Sequence, residues 1–363
     1  MNYAPGRGTD TADLDFGEIR AASDAIIHDL LRNKEESVAQ LGLKEHVDEI
    51  RPLLLASAGK RMRAVFCLWA WRGAGARGPR ADVDIAAAAL ELNHSAFLIH
   101  DDILDRSELR RGQPTTYRRF AARHIERGWQ GSSHEFGDGV ALTLGDLCFA
   151  WAGELISQCT RGERLGPVLE VYHRMYVDAL YGQILELQIQ ADRDFDPSRC
   201  LTVAAYKAGR YMLAPPLMIG GALAGADEAV QTAYERFGTA LGEAYQLRDD
   251  LLGVFGDPAV TGKPNTDDLW EGKPTVLFAT ALQAAAPSQR DKLLSLYGDR
   301  NLDADAADEL RDLLQETQAP AAVEEMIRSR AEEAVRALEA APITSEARTA
   351  LLALAERALF RTR

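Results

Sequence analysis

Two aspartate clusters lie far apart in this chain, each in a helical stretch and each followed by basic residues. The first is His100-Asp101-Asp102-Ile103-Leu104-Asp105, with Arg110-Arg111-Gly112 just after it. The second is Gln246-Leu247-Arg248-Asp249-Asp250-Leu251-Leu252-Gly253, followed by Gly262-Lys263 and Gly272-Lys273. Carboxylates repeated on one helix face repel each other unless a cation sits among them. Acids and bases together suit a metal–diphosphate complex: the carboxylates take magnesium ions and the cations take phosphate oxygens.

Asp101 and Asp105 are one turn apart and share a helix face, and His94 falls on that face two turns earlier. Magnesium takes one or two carboxylates and completes its shell with water and substrate phosphate. A solvated acidic face is the simpler alternative, but the mostly apolar run from Ser95 to Ile99 and the Ile103-Leu104 pair point to a buried helix. Arg110 and Arg111 offer planar donor forks that match phosphate. On a helix they would point about 100° apart and could serve two diphosphates. Taken alone, they would be no more than an exposed basic turn.

Other basic and polar residues fit the same chemistry. Gly59-Lys60-Arg61-Met62-Arg63 stands at an expected helix start, with Lys60 and Arg63 on one face and the helix N-terminus favouring an anion. Gln183 and Glu186 lie one turn apart. Lys207 is expected just after a tight connection. Gln246 and Asp249 share a face, and Gly253 stands where a third acid would mirror Asp105. Lys263 and Lys273 are expected in glycine-containing loops that fold over bound phosphate.

The elements that must position these groups are helices. Ala, Leu, Glu and Arg dominate, and apolar residues recur at three- and four-residue spacing, as in Ile85–Leu92 and Ala347–Leu359. The fold class is therefore all-α. Breaks are expected at Gly73–Arg80, Gly128–Gly139, Asp194–Ser198 and Gly256–Asn265. The chemical groups run from Lys60 to Lys273 and make sense only if they converge, so residues 17–363 are expected to form one domain behind a disordered tail, 1–16.

Composition excludes several classes. The 363 residues carry a formal net charge of −14, which argues against nonspecific nucleic-acid binding and a basic membrane-binding surface. Cys67, Cys148, Cys159 and Cys200 form no close pair and no metal-ligand spacing, as expected of reduced thiols in a cytoplasmic protein. No apolar run approaches the ~20 residues that span a bilayer, and the polar start has no signal-peptide core. No transmembrane segment is expected.

In order along the chain, Gly59–Arg63, His94, Asp101–Arg111, Gln183–Glu186, Lys207, Gln246–Asp250, Lys263 and Lys273 resemble the motifs of the trans-isoprenyl diphosphate synthase (polyprenyl synthetase) family. The resemblance covers nearly the whole chain after the tail. It implies a helical bundle around a deep central cavity, usually homodimeric, that joins isopentenyl diphosphate to an allylic diphosphate. It also implies Asp101, Asp105 and Asp249 as ligands of three magnesium ions. Arg110, Lys207, Lys263 and Lys273 would bind the allylic diphosphate, and Lys60, Arg63, His94 and Arg111 the isopentenyl one. Gln183 and Gln246 would line the reacting region.

Three departures from the family pattern stand out: Gly253 in place of a third acid, Ala208 where a hydroxyl residue is usual, and Ala58 in place of a glycine. A class I terpene cyclase shares the aspartate-rich helix but needs no isopentenyl site and carries a different second ligand series. A non-catalytic partner subunit often loses the first cluster, which this chain keeps. In the family, the residues four and five before the first aspartate often set the cavity floor. Here they are Phe97 and Ala96, one bulky and one small, which implies a twenty-carbon geranylgeranyl product, alone or with farnesyl diphosphate.

Overall fold

The computed structural model describes residues 16–55, 61–110, 112–257 and 265–359. It is almost wholly helical: α1 (Phe16–Val38), α2 (Lys44–Leu55), α3 (Met62–Gly73), α4 (Arg80–Leu104), α5 (Thr116–Glu126), α6 (Ser133–Gln158), α7 (Leu165–Asp192) and α8 (Pro197–Ala204). A π-helical stretch (Ala205–Leu213) leads into α9 (Ala214–Ala224), α10 (Glu228–Phe255) and a short α11 (Asp267–Glu271). Helices from Val276 to Leu359 pack outside α10 and α3. Among the described residues the only sheet is a two-stranded hairpin that pairs Leu109 with Pro114 and Arg110 with Gln113.

Side-chain caps define several starts. Asp227 accepts from the Val230 amide to open α10, Asp196 accepts from Ser198 and Arg199 ahead of Pro197, and Ser132 accepts from Glu135 to open α6. Every residue of α9 is buried, so this helix forms the apolar centre of the bundle. Its first turn holds Pro215 and Pro216, which lack amide donors and crowd the carbonyls four residues earlier. The ladder widens just before them: the Ala214 amide bonds to the Gly209 carbonyl five residues back. One contiguous set of buried apolar residues runs from Ile19 to Leu359.

The structure corrects several expectations. Phe16, assigned to the tail, opens α1 and lies under the Arg357 guanidinium, 4.9 Å from its ring centre. The break expected at Gly128–Gly139 is shorter, because the Ser132 cap starts α6 at Ser133. Lys207 follows no tight connection: it lies inside the helical run from Pro197 to Ala224. Arg110 is on a hairpin strand, not a helix, so the helical geometry assumed for the arginine pair does not hold.

The expectation that no stretch reaches bilayer length is also corrected. α6 is long and apolar enough to cross a membrane by length and composition. One face of α6 packs on α4 and α5, and its other face exposes Leu142 and Leu147. The adjoining α7 exposes Val177, Leu180, Tyr181, Ile184 and Leu187 at helical spacing. The apolarity of α6 therefore belongs to a two-sided helix, buried on one side and uncovered on the other.

Candidate active site

α4 ends at the first acidic cluster. Asp105 is its C-cap, its amide bonded to the Asp101 carbonyl, so the two carboxylates lie one above the other. Between them Asp102 turns inward, 2% exposed, and accepts a 2.9 Å hydrogen bond from Arg110 Nε. That ion pair folds the hairpin back onto the end of α4. Arg110 thus stands at the site already neutralised by Asp102, a partner that sequence reasoning left without a role. Its guanidinium is held firmly protonated: burial opposes the charge, and Asp102 outweighs burial.

Lys207 approaches Asp101 from the π-helical stretch, near enough for its charge to favour the Asp101 carboxylate. The close approach depends on Gly182 of α7, where a Cβ would lie 3.0 Å from both Lys207 Cγ and Tyr206 Cβ. The Lys207 ammonium is in ionic contact with Glu186, one turn further along α7. Burial lowers the Lys207 pKa, but Glu186 and then Asp101 more than offset it, and the group stays charged. Burial raises the Asp101 pKa, with Lys207 opposing the rise and Asp105 adding to it. Gln183 lies half-buried on the same helix.

Lys273 completes this centre from beyond α11. Its ammonium lies 2.9 Å from Glu271, 3.3 Å from Asp268 and 3.7 Å from Asp105. Its pKa is raised well above the usual lysine value: burial opposes the charge, and Asp268, Asp105 and Glu271 together exceed it. Burial pushes the Glu271 carboxyl up to about 7. On α10, Gln246 donates to Asp250 at 2.8 Å. Asp250 is buried, and desolvation raises its pKa to about 8, whereas Asp249 is half-buried.

A second group faces the same region from α3 and α4. Arg61, at a left-handed φ of 45°, is buried and bonds to Asp24 and the Leu54 carbonyl, while Glu91 accepts from the Ala64 amide. These contacts fix the start of α3 and aim Arg63 inward. The Arg63 guanidinium lies 5.4 Å from the centre of the Tyr211 ring, and its buried Nε has no hydrogen-bond partner among the described residues. Tyr211 Oη is 3.4 Å from His94 Nδ1. Burial raises the Tyr211 pKa, so it remains a neutral phenol. Below this group, Phe97 packs against Phe149 and Tyr211, with both ring centres 4.8 Å away, and against Tyr176 at 5.8 Å. Ala96 is fully buried and borders no open space, so the opening expected there is absent.

The structure therefore brings together Asp101, Asp105, Lys207 and Lys273, with Gln246 and Asp249 on the adjoining α10, and it sets Arg63 and His94 around Tyr211. Lys60, Arg111 and Lys263 lie outside the described residues. Sequence reasoning missed Asp102, Tyr211, Asp268 and Glu271. Asp268 and Glu271 do carry a signal: Glu271 immediately precedes Gly272-Lys273, and Asp268 stands about one helical turn before it.

Among the described residues, no three His, Cys, Asp or Glu side chains converge as a closed metal cage. Carboxylates from separate helices instead surround lysine ammonium groups, which stand as internal cations. That donor set fits hard, partly hydrated magnesium, which needs few protein ligands and takes the rest of its shell from water and phosphate.

The polyprenyl synthetase sequence profile matches residues 44–314. A geranylfarnesyl diphosphate synthase of Aeropyrum pernix is 32% identical over 68% of this chain and 72% of its own. A geranylgeranyl diphosphate synthase of Mycobacterium tuberculosis is 30% identical over 77% of this chain and 74% of its own. The crystal structure of a Corynebacterium glutamicum geranylgeranyl pyrophosphate synthase, complexed with isoprenyl diphosphate and magnesium, superposes with a TM-score of 0.91. It is 31% identical, and the match covers 96% of this chain and 99% of that one.

Proposed function

Because this chain belongs to the polyprenyl synthetase family, we propose that its site condenses isopentenyl diphosphate head-to-tail with allylic diphosphates. It is a magnesium-dependent prenyltransferase. Asp101, Asp105 and Asp249 would hold up to three magnesium ions. Magnesium, when bound, supplies neutralisation of the diphosphate oxygens.

The chain's own residues orient and stabilise. Arg110, Lys207, Lys263 and Lys273 hold the allylic diphosphate, and Lys60, Arg63, His94 and Arg111 hold the isopentenyl one. Gln183 and Gln246 line the space between. The allylic carbon–oxygen bond breaks and its electron pair leaves with the diphosphate. The isopentenyl double bond attacks the allylic cation, a carbon–carbon bond forms, and a proton passes to the departed diphosphate. Lys207 and Lys273 favour this step because their charges are in place before the leaving group becomes more negative.

The observation that carries this reading is the position of Lys273, which links Asp105 of the first cluster to Asp268 beyond the second. Incubation with isopentenyl diphosphate and allylic primers of five, ten and fifteen carbons, read by mass spectrometry, tests it. Longer prenyl diphosphates are expected, with geranylgeranyl diphosphate as the main product. Hydrocarbon made from an allylic primer alone would mark a cyclase, and no turnover a non-catalytic subunit.

The same reading takes the chain from Phe16 onward as one domain and the protein as a cytoplasmic homodimer. The four free, buried cysteines suit a reducing compartment. The uncovered apolar side chains of α6 and α7 suit a second copy of the chain. Light scattering at micromolar concentration should give twice the chain mass.

A further inference from the structure

We infer that Asp268 supplies the carboxylate that the second acidic cluster lacks at Gly253, completing the cation-holding surface that faces Asp101 and Asp105. The inference rests on the proposed metal–diphosphate reading of this site. Residue 253 lies one turn beyond Asp249 on α10, on the same face. A Cβ at Gly253 would run into Asp268 Oδ2 and would lie only 3.0 Å from Asp268 Cγ. The space a side chain at 253 would fill is therefore already occupied by a carboxylate from α11. Glycine is what admits it: the acid has moved from one helix to the next rather than been lost.

The two oxygens of Asp268 face different ways. Oδ1 lies 3.3 Å from the Lys273 ammonium, which is itself 3.7 Å from Asp105. Oδ2 points toward the vacant side of Gly253. The Asp268 side chain keeps 20% of its surface exposed, enough to meet a hydrated ion. One ammonium thus separates Asp268 from the first cluster, and Asp268 lies across from it as a third acid on α10 would. A merely structural role, anchoring Lys273, is the alternative.

Binding of Mn2+ to the full-length, metal-free protein in the presence of inorganic pyrophosphate separates the two roles. Bound Mn2+ is read by electron paramagnetic resonance, and folding by thermal melting. Asp268→Asn should weaken Mn2+ binding roughly tenfold, the scale for losing one supporting carboxylate at a metal site. The doubly substituted Gly253→Asp/Asp268→Ala should recover most of it, because the carboxylate returns to the same space from α10. The loss on Asp268→Asn should persist in a Lys273→Gln background. Wild-type affinity in Asp268→Asn, failure of a folded double variant to recover, or no further loss in the Lys273→Gln background would overturn the inference. If the wild-type protein bound Mn2+ no better with pyrophosphate than without it, the metal–diphosphate reading itself would fall, and this inference with it.

Discussion

Lys273 Nζ stands 3.7 Å from Asp105 Oδ2, joining the end of α4 to the segment beyond α11. Repulsion among the Asp101 and Asp105 carboxylates is thereby answered in part within the protein, before substrate arrives. Removing either carboxylate should spare the fold, since Lys273 keeps Asp268 and Glu271. Asp101→Ala and Asp105→Ala should each lower turnover by about 10² to 10³, the scale for losing one charge-stabilising group. Steady-state rates at saturating magnesium check this, and wild-type turnover in Asp101→Ala would falsify the assignment.

The two diphosphate sites should separate in kinetics. Arg63→Ala, His94→Ala, Lys60→Ala and Arg111→Ala should mainly raise KM for isopentenyl diphosphate. Lys207→Ala should lower kcat as well as weaken the allylic substrate, because its partner becomes the leaving group. Equal effects of all five substitutions on both substrates would show that the division is wrong.

Gly182→Ala tests how Lys207 is positioned. The added methyl meets Lys207 Cγ and Tyr206 Cβ at 3.0 Å, so the lysine must shift away from Glu186. Alanine favours the helix by up to about 1 kcal/mol, which offsets much of the crowding. The expected result is a near-unchanged melting temperature with kcat about tenfold lower. A drop in melting temperature with unchanged kcat would count against it.

Glu271 should make the metal-free protein less stable as pH rises. Its carboxyl is raised from 4.5 to about 7, chiefly by burial. Between those values the folded state keeps a proton that the unfolded chain has released, so stability falls with pH across that window and levels off above it. The loss is about 3–4 kcal/mol, at about 1.4 kcal/mol per unit. Glu271→Gln should make this slope shallower in urea titrations from pH 5 to 7.5, leaving the part that Asp250, raised to about 8, contributes; an unchanged slope would assign all of it to other groups.

Product length should respond to Phe97 and its neighbours. Phe97→Ala, alone or with Phe149→Ala, should lengthen the product by one or more five-carbon units. Ala96→Phe forces a ring into a fully buried position and should cost about 1–3 kcal/mol of stability through overpacking. Chromatography of the dephosphorylated alcohols, with thermal melting alongside, reads both. Unchanged lengths in the Phe97 and Phe149 variants would place the floor elsewhere.

The all-α class, both acidic clusters and the main cations were legible in the sequence because helix periodicity and the pairing of acids with bases are local properties. Asp101 and Asp105 share a face whatever else the chain does. What spacing could not determine was which charges meet. Asp102 turns away from its neighbours to hold Arg110, Gln246 bonds to Asp250, and Arg110 lies on a hairpin strand. Those choices depend on burial: an acid or amide removed from water must find a partner, and only the packed helices decide which one lies within reach. Gly253 shows the difference most clearly. In the sequence it is a missing acid, and in the folded chain it is the space that Asp268 fills.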